Sequence, residues 1–326
     1  MGYKGTLRSI GAAVRTAERN AKRRQRELEK RAKEAQKMED LERASFEVSK
    51  YENELEIITT LHNDMSGCNM SLLENLLEPI EPTYHKTKEL QARQVLYDYK
   101  PGIFDKVFGT GDKKVSKLES KIELAIEQDK HAFDLSIDHW ETEKKEFNYF
   151  SKLLSDINSH DRSAVQTWIE LSKPFEELEC LGTKVHIDFV GKRLIAEITS
   201  NPIEIIPEMT KSLLKSGKLS EKKTAISKKN ELYQDYIASE SLKTARELFS
   251  MLPYEEIVIN SNVKMLNKAT GYHEHSMVLS VFYVRETIEH INYDLIDPSD
   301  AITNFVHNMN FKKTRGFEKV DQMEMR

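Results

Sequence analysis

Apolar residues recur every three or four positions across two stretches that contain neither glycine nor proline, 12–66 and 112–173. In the first the series is Leu41, Ala44, Val48, Tyr51, Leu55, Ile58 and Met65. In the second it is Val115, Leu118, Ile122, Ala125, Ala132, Trp140, Phe147, Phe150, Leu154 and Ile157, interrupted by Asp129, Ser136 and Glu143. This spacing predicts two long helices, each with one apolar seam. A shorter helix is expected near Lys86–Tyr99, set off by Pro79, Pro82 and Pro101-Gly102. The economical packing is a helical hairpin in which the first long helix lies against the 114–158 helix. A dimeric coiled coil would use the same seam.

The period changes to two at KVHIDFV, 184–190, where Val185, Ile187 and Phe189 alternate with His186 and Asp188. A Gly191-Lys192 turn returns the chain through RLIAEIT, 193–199. That register places Phe189 opposite Leu194, Ile187 opposite Ala196 and Val185 opposite Ile198. On the other face, His186 meets Glu197 and Asp188 meets Ile195. A helix is expected from Lys229 to Leu252, stopped by Pro253, and then two strands apolar on both faces, 255–260 and 276–284. Asp297 and Pro298 mark the N-terminus of a terminal helix. The order strand–strand–helix–strand–strand–helix defines an α+β chain with a long-helix, coiled-coil-like N-terminal half. Three regions follow: a basic arm and long helix over 1–65, a helical region over 66–180, and an α+β domain over 181–326.

Composition narrows the class. With 326 residues the chain suits roughly two folded units. Charged residues make up 32%, and only 12 Gly and 8 Pro are present, which argues against a loop-rich all-β fold. No apolar run reaches the ~18 residues that a membrane span requires. The first residues lack the apolar core of a secretory leader, although Gly2 and Thr6 fit the short N-myristoylation pattern. Two cysteines, Cys68 and Cys180, cannot form a disulfide framework, so a reducing, cytoplasmic setting is expected.

Charge is distributed unevenly. Residues 1–37 hold twelve Lys or Arg against four Glu, a local charge of +8, so the remainder carries -13 against the net -5. A second basic patch, 209–229, has seven Lys and one Glu. Clustered positive charge on an otherwise acidic protein points to an anionic partner. Arg15, Arg19, Lys22, Arg23, Arg24 and Arg26, with Lys218, Lys222 and Lys223 as a second group, are the candidate nucleic-acid contacts. No aromatic residue interleaves the arm between positions 4 and 45, so contact there would be to phosphates, without base stacking.

Candidate chemistry is sparse. SGKLS at 216–220 lacks both the upstream glycine (Ser212 stands there) and the preceding strand of a phosphate loop. Asp188 and Glu197, on one face of adjacent strands, are the candidate catalytic carboxylates of a metal-dependent nuclease. Glu197-Ile198-Thr199, however, lacks the lysine two residues on that such a core uses. His273 and His275, two apart on an extended segment, are the candidate metal ligands, with His186 or Asp188 as a third. No motif calls for a cofactor. Three readings result. The first is a non-enzymatic interaction protein whose basic arm takes an anionic partner, either nucleic acid or an acidic protein surface. The second is a hydrolase with its site on the α+β sheet. The third is a subunit of a homo- or hetero-oligomer joined through the long helices.

Overall fold

The helical seams and the period-two strands both form, but their packing partners differ from the simplest expectation. The computed structural model describes residues 40–102, 111–191, 193–267 and 270–323. In chain order the helices are α1 (Asp40–Thr59), α2 (Ser71–Glu74), α3 (Thr87–Asp98), α4 (Gly111–Asn158), α5 (Arg162–Ser172) and α6 (Glu176–Cys180). Then follow β1 (Lys184–Val190), β2 (Arg193–Ser200), β3 (Met209–Leu213), β4 (Leu219–Lys223), α7 (Ile226–Met251), β5 (Glu256–Leu266) and β6 (His273–Val284). The chain closes with α8 (Arg285–Glu289), α9 (Pro298–Ala301), β7 (Val306–Lys312) and β8 (Gly316–Glu318). This is the expected α+β organisation, helices first and a mixed six-stranded sheet after them. The chain divides into two units: 75–152, and 40–74 together with 153–323.

In the first unit, 48-residue α4 runs about 72 Å at 1.5 Å per residue. The segment 79–98 covers part of its seam. Trp140 Nε1 donates to the Pro79 carbonyl at 3.1 Å, and Tyr84 meets Phe133 edge-on, 5.4 Å between centroids. Asp129, an apparent interruption of the seam, is buried for a reason. Its carboxylate accepts from Lys88 N at 3.1 Å and Glu89 N at 2.8 Å, satisfying first-turn amides of α3 that have no partner within that helix.

The sheet unit is ordered β1-β2-β5-β6-β7-β8, with β2 and β5 parallel and the other pairs antiparallel. The β1–β2 register is the expected one, residue for residue, and Gly191 supplies the positive φ (+64°) of the turn. Leu194, Ala196, Ile198, Ile257, Ile259 and Val281 form the buried floor on which α7 rests. Pairings absent from the sequence reading are β3 with β4, a separate two-stranded sheet, and β7 with β8. The helix at Asp297 is a single α-helical turn capped by Asp297 Oδ1 on Asp300 N at 3.1 Å, and β7 follows it.

The α1 seam was expected on the 114–158 helix. Ala44, Val48, Tyr51 and Ile58 are buried, and α1 packs on α7, β3 and β4 of its own unit. Short-spaced polar residues on α7 provide the anchorage. Ser239, Lys243, Arg246, Glu247 and Ser250 recur at helical spacing and bind segment 59–70. Ser239 Oγ lies 2.6 Å from His62 Nδ1, Lys243 Nζ donates to the Asp64 carbonyl at 2.8 Å, and Glu247 accepts from Ser66 Oγ at 2.6 Å. Arg246 donates to the His62 carbonyl and lies over the Tyr293 ring, 3.7 Å from its centroid. Ser250 Oγ donates to the Cys68 carbonyl at 2.7 Å. Helix α5 closes another side of α7: Trp168 is fully buried and donates to the Met251 carbonyl at 3.2 Å. Replacing Trp168 with alanine should cost about 3–5 kcal/mol, because the cavity collapses only in part. Urea unfolding of the two proteins checks this, and a loss below ~1 kcal/mol would contradict the packing described.

Candidate functional site

The β3–β4 hairpin carries three of the sequence-predicted cations, Lys218, Lys222 and Lys223. Its register pairs Met209 with Lys223, Thr210 with Lys222, Lys211 with Glu221, Ser212 with Ser220 and Leu213 with Leu219. Leu214 N donates to the Lys218 carbonyl at 2.9 Å, and Gly217 N to the Leu214 carbonyl at 2.8 Å. Lys215-Ser216-Gly217 is therefore a three-residue loop, and Gly217 takes its left-handed position at φ +77°.

One lysine of the hairpin is structural. Lys211 Nζ lies 2.6 Å from Glu47 Oε2 of α1 and 3.6 Å from Glu221 Oε1, tying the ribbon to the helix. The Thr224 hydroxyl anchors the base, 3.1 Å from Thr210 Oγ1 and 3.1 Å from the Pro207 carbonyl. Lys215, Lys218, Lys222 and Lys223 are different: all four are exposed, and no carboxylate among the described residues pairs with them. The Arg15–Arg26 group lies outside the described residues. In sequence, the +8 segment ends at Lys37, three positions before α1 begins and ten before Glu47.

The structure places Asp188 and Glu197 on one sheet face, Glu197 opposite His186 and Asp188 opposite Ile195. Glu197 belongs to a row that crosses five strands: His186, Glu197, Asn260, Ser280 and Asn308. Its two oxygens accept from Asn260 Nδ2 at 2.6 Å and Asn262 Nδ2 at 2.8 Å, and Ser280 Oγ donates to Asn260 Oδ1 at 2.6 Å. The C-terminal segment covers the row. Met323 N donates to Ser280 Oγ at 3.0 Å, and Asn308 Nδ2 to the Asp321 carbonyl at 3.0 Å. Glu197 thus joins strands, while Asp188 stands exposed on β1. His273 and His275 are exposed at the start of β6, opposite Leu266 and Lys264. Among the described residues, no three His, Cys, Asp or Glu side chains come together to hold a metal ion. Cys68 is buried, which pushes its thiol pKa up, whereas Cys180 is exposed.

A second polar cluster, not foreseen from sequence, lies beneath α7. Glu240 is fully buried, and one of its oxygens accepts from the Thr183 hydroxyl. Tyr236 OH lies 3.0 Å from Thr183 Oγ1 and accepts from Asn201 Nδ2 at 3.0 Å. The other Glu240 oxygen has no partner among the described residues, and neither has Ser200 Oγ. Burial pushes the Glu240 carboxyl up to about 7, against the opposing pull of the Thr183 and Tyr236 hydroxyls. A proton on the unpartnered oxygen could be donated toward Ser200. The cluster is enclosed, so it serves the fold and offers no surface.

The chain matches no family model, no curated protein and no solved structure. Its functional reading therefore rests on its own residues.

Glu240 carries a pH signature. Its folded pKa lies above its ordinary value of 4.5, so the native state binds the proton more tightly than the unfolded state does. Stability should therefore fall as pH rises from about 4.5 to about 7, by up to about 3 kcal/mol from this residue. Burial likewise raises Asp235, to about 6, which acts in the same direction. Glu240→Gln keeps the shape and supplies a permanent donor. Its unfolding free energy, followed from pH 4.5 to 8, should lose Glu240's share of this decline while Asp235's share remains. An unchanged slope would contradict the assignment.

Proposed function

We propose that this protein is a non-enzymatic nucleic-acid-binding protein that grips phosphates by charge, without reading sequence. The observation that supports it most directly is a set of four exposed lysines, with no carboxylate partner among the described residues, on a hairpin that α1 braces. A salt-bridged surface would have its field cancelled locally; among the described residues Lys211 has that arrangement, and Lys215, Lys218, Lys222 and Lys223 do not. In sequence, the segment that holds Arg15, Arg19, Lys22, Arg23, Arg24 and Arg26 precedes α1. Two cationic stretches therefore flank α1: 209–229, which packs against it, and 1–37, which precedes it in sequence. On a body of opposite net charge, that arrangement orients the protein toward a polyanion and favours encounter at low salt. No helix among the described residues is long and apolar enough to cross a membrane.

A second reading, membership in a larger assembly, has its own support. The 75–152 unit leaves Leu77 82%, Ile80 92% and Tyr97 84% exposed, more apolar surface than isolated solvent-facing residues account for. The two readings are compatible, since an assembly subunit can also hold nucleic acid. Light scattering on the eluting protein distinguishes a monomer from an oligomer.

Binding to duplex DNA, measured by fluorescence anisotropy from 50 to 300 mM salt, tests the first reading. Log affinity should fall linearly with log salt, and the slope should shrink by about 0.9 for each contacting lysine removed. Lys215→Gln, Lys218→Gln, Lys222→Gln and Lys223→Gln together should flatten it by about 3–4. Deleting residues 1–37 should flatten it further while leaving the melting transition in place. Absence of any retardation of DNA or RNA at low salt would contradict the proposal.

A further inference from the structure

The hairpin tip narrows the kind of nucleic acid, on the premise of the function just proposed. Leu213 and Leu214 end β3 and begin the loop, and because side chains alternate along a strand they lie on opposite faces of the ribbon. Both are about half exposed, Leu213 at 45% and Leu214 at 50%. Lys215 and Lys218 flank them. Behind the tip, the face that carries Leu214 presents Thr210 and Ser212 from β3 alongside Lys218, Ser220 and Lys222 from β4. With the Thr210 hydroxyl engaged by Thr224, the Ser212 and Ser220 hydroxyls and the Lys218 and Lys222 ammonium groups are the donors that a phosphodiester rail accepts from.

We infer that the β3–β4 hairpin is a wedge for duplex DNA, its Lys–Ser–Thr face following the phosphates and Leu213 and Leu214 entering a base step to unstack and bend it. An apolar residue on each face of a thin ribbon suits the gap between two base pairs, which is apolar above and below. A two-stranded ribbon also fits a groove of B-form DNA, whereas the deep, narrow major groove of A-form RNA excludes it. An anionic membrane would also attract lysines and leucines. There, however, Ser212 and Ser220, directly behind the leucines, would enter the apolar layer without partners, while on DNA they meet phosphate oxygens.

The test uses the full chain and a duplex of about 25 base pairs with a fluorophore at each end, matched or with a central mismatch. Far-UV circular dichroism and melting confirm that Leu213→Ser/Leu214→Ser is folded. The wild type should shorten the end-to-end distance and prefer the mismatched duplex by about tenfold, since its step is cheaper to open. The double-leucine variant should retain low-salt affinity within about threefold, because phosphate contacts remain, yet lose both the bending and the preference. The inference is overturned if bending and preference survive in that variant, if the wild type binds without bending, or if matched RNA duplex is bound equally well. It is also overturned if the leucine change affects only binding to phosphatidylserine vesicles. Binding to no nucleic acid at all would instead remove the proposed function on which it rests.

Discussion

The sheet unit depends on how helix α7 satisfies its buried polar groups. Lys243, Glu247 and Ser239 are all buried on this helix, and an unpaired charge there would cost several kcal/mol. Glu177 of α6 pairs with Lys243 at 2.7 Å, and segment 59–70 satisfies the other groups. Its carbonyls at His62, Asp64 and Cys68 and its Ser66 hydroxyl and amide are the partners of Arg246, Lys243, Ser250 and Glu247. Each bond is individually modest, but together they leave the segment one way to lie. Because it directly follows α1, fixing the segment fixes the C-terminal end of α1. The N-terminal half of α1 then lies under the hairpin, where Glu47 receives Lys211.

That sequence of constraints explains why a two-stranded ribbon, marginal by itself in water, has a defined conformation. Among the described residues it has no hydrogen-bonded neighbour in the main sheet. Its support is side-chain contact with α1, the Thr210–Thr224 pair at its base and the glycine-closed loop at its end. A ribbon supported from one side has its other side available. Lys218 and Lys222 lie on that side, opposite Lys211, on a ribbon that the rest of the unit holds in place.

Several elements were legible in the amino-acid pattern because their determinants are local. The β1–β2 register follows from alternation and one glycine turn, and α4 follows from its three-four spacing. The hairpin β3–β4 was hidden because Thr210, Ser212, Ser220 and Lys222 never enter a core, so no apolar alternation marks them. Only the Ser216-Gly217 turn between Leu214 and Leu219 signals it. Glu240, Lys243 and Glu247 are charged residues of a predicted helix, and nothing local marks them for burial. Their burial depends on chain more than fifty residues away in sequence, which periodicity cannot report. Glu197 is similar: as one carboxylate on a strand it resembles a catalytic acid, and only the arrival of Asn260 and Asn262 from β5 shows that it binds strands together.

Lysine reactivity in the presence of DNA tests the central claim most directly. The full chain is acetylated briefly with and without a saturating duplex at low salt, and modification is quantified at each lysine by mass spectrometry. Lys215, Lys218, Lys222 and Lys223 should become strongly protected, while exposed lysines elsewhere, such as Lys121 on α4 and Lys184 on β1, keep their reactivity. Protection spread evenly over all exposed lysines, or confined to residues outside the hairpin, would contradict the account.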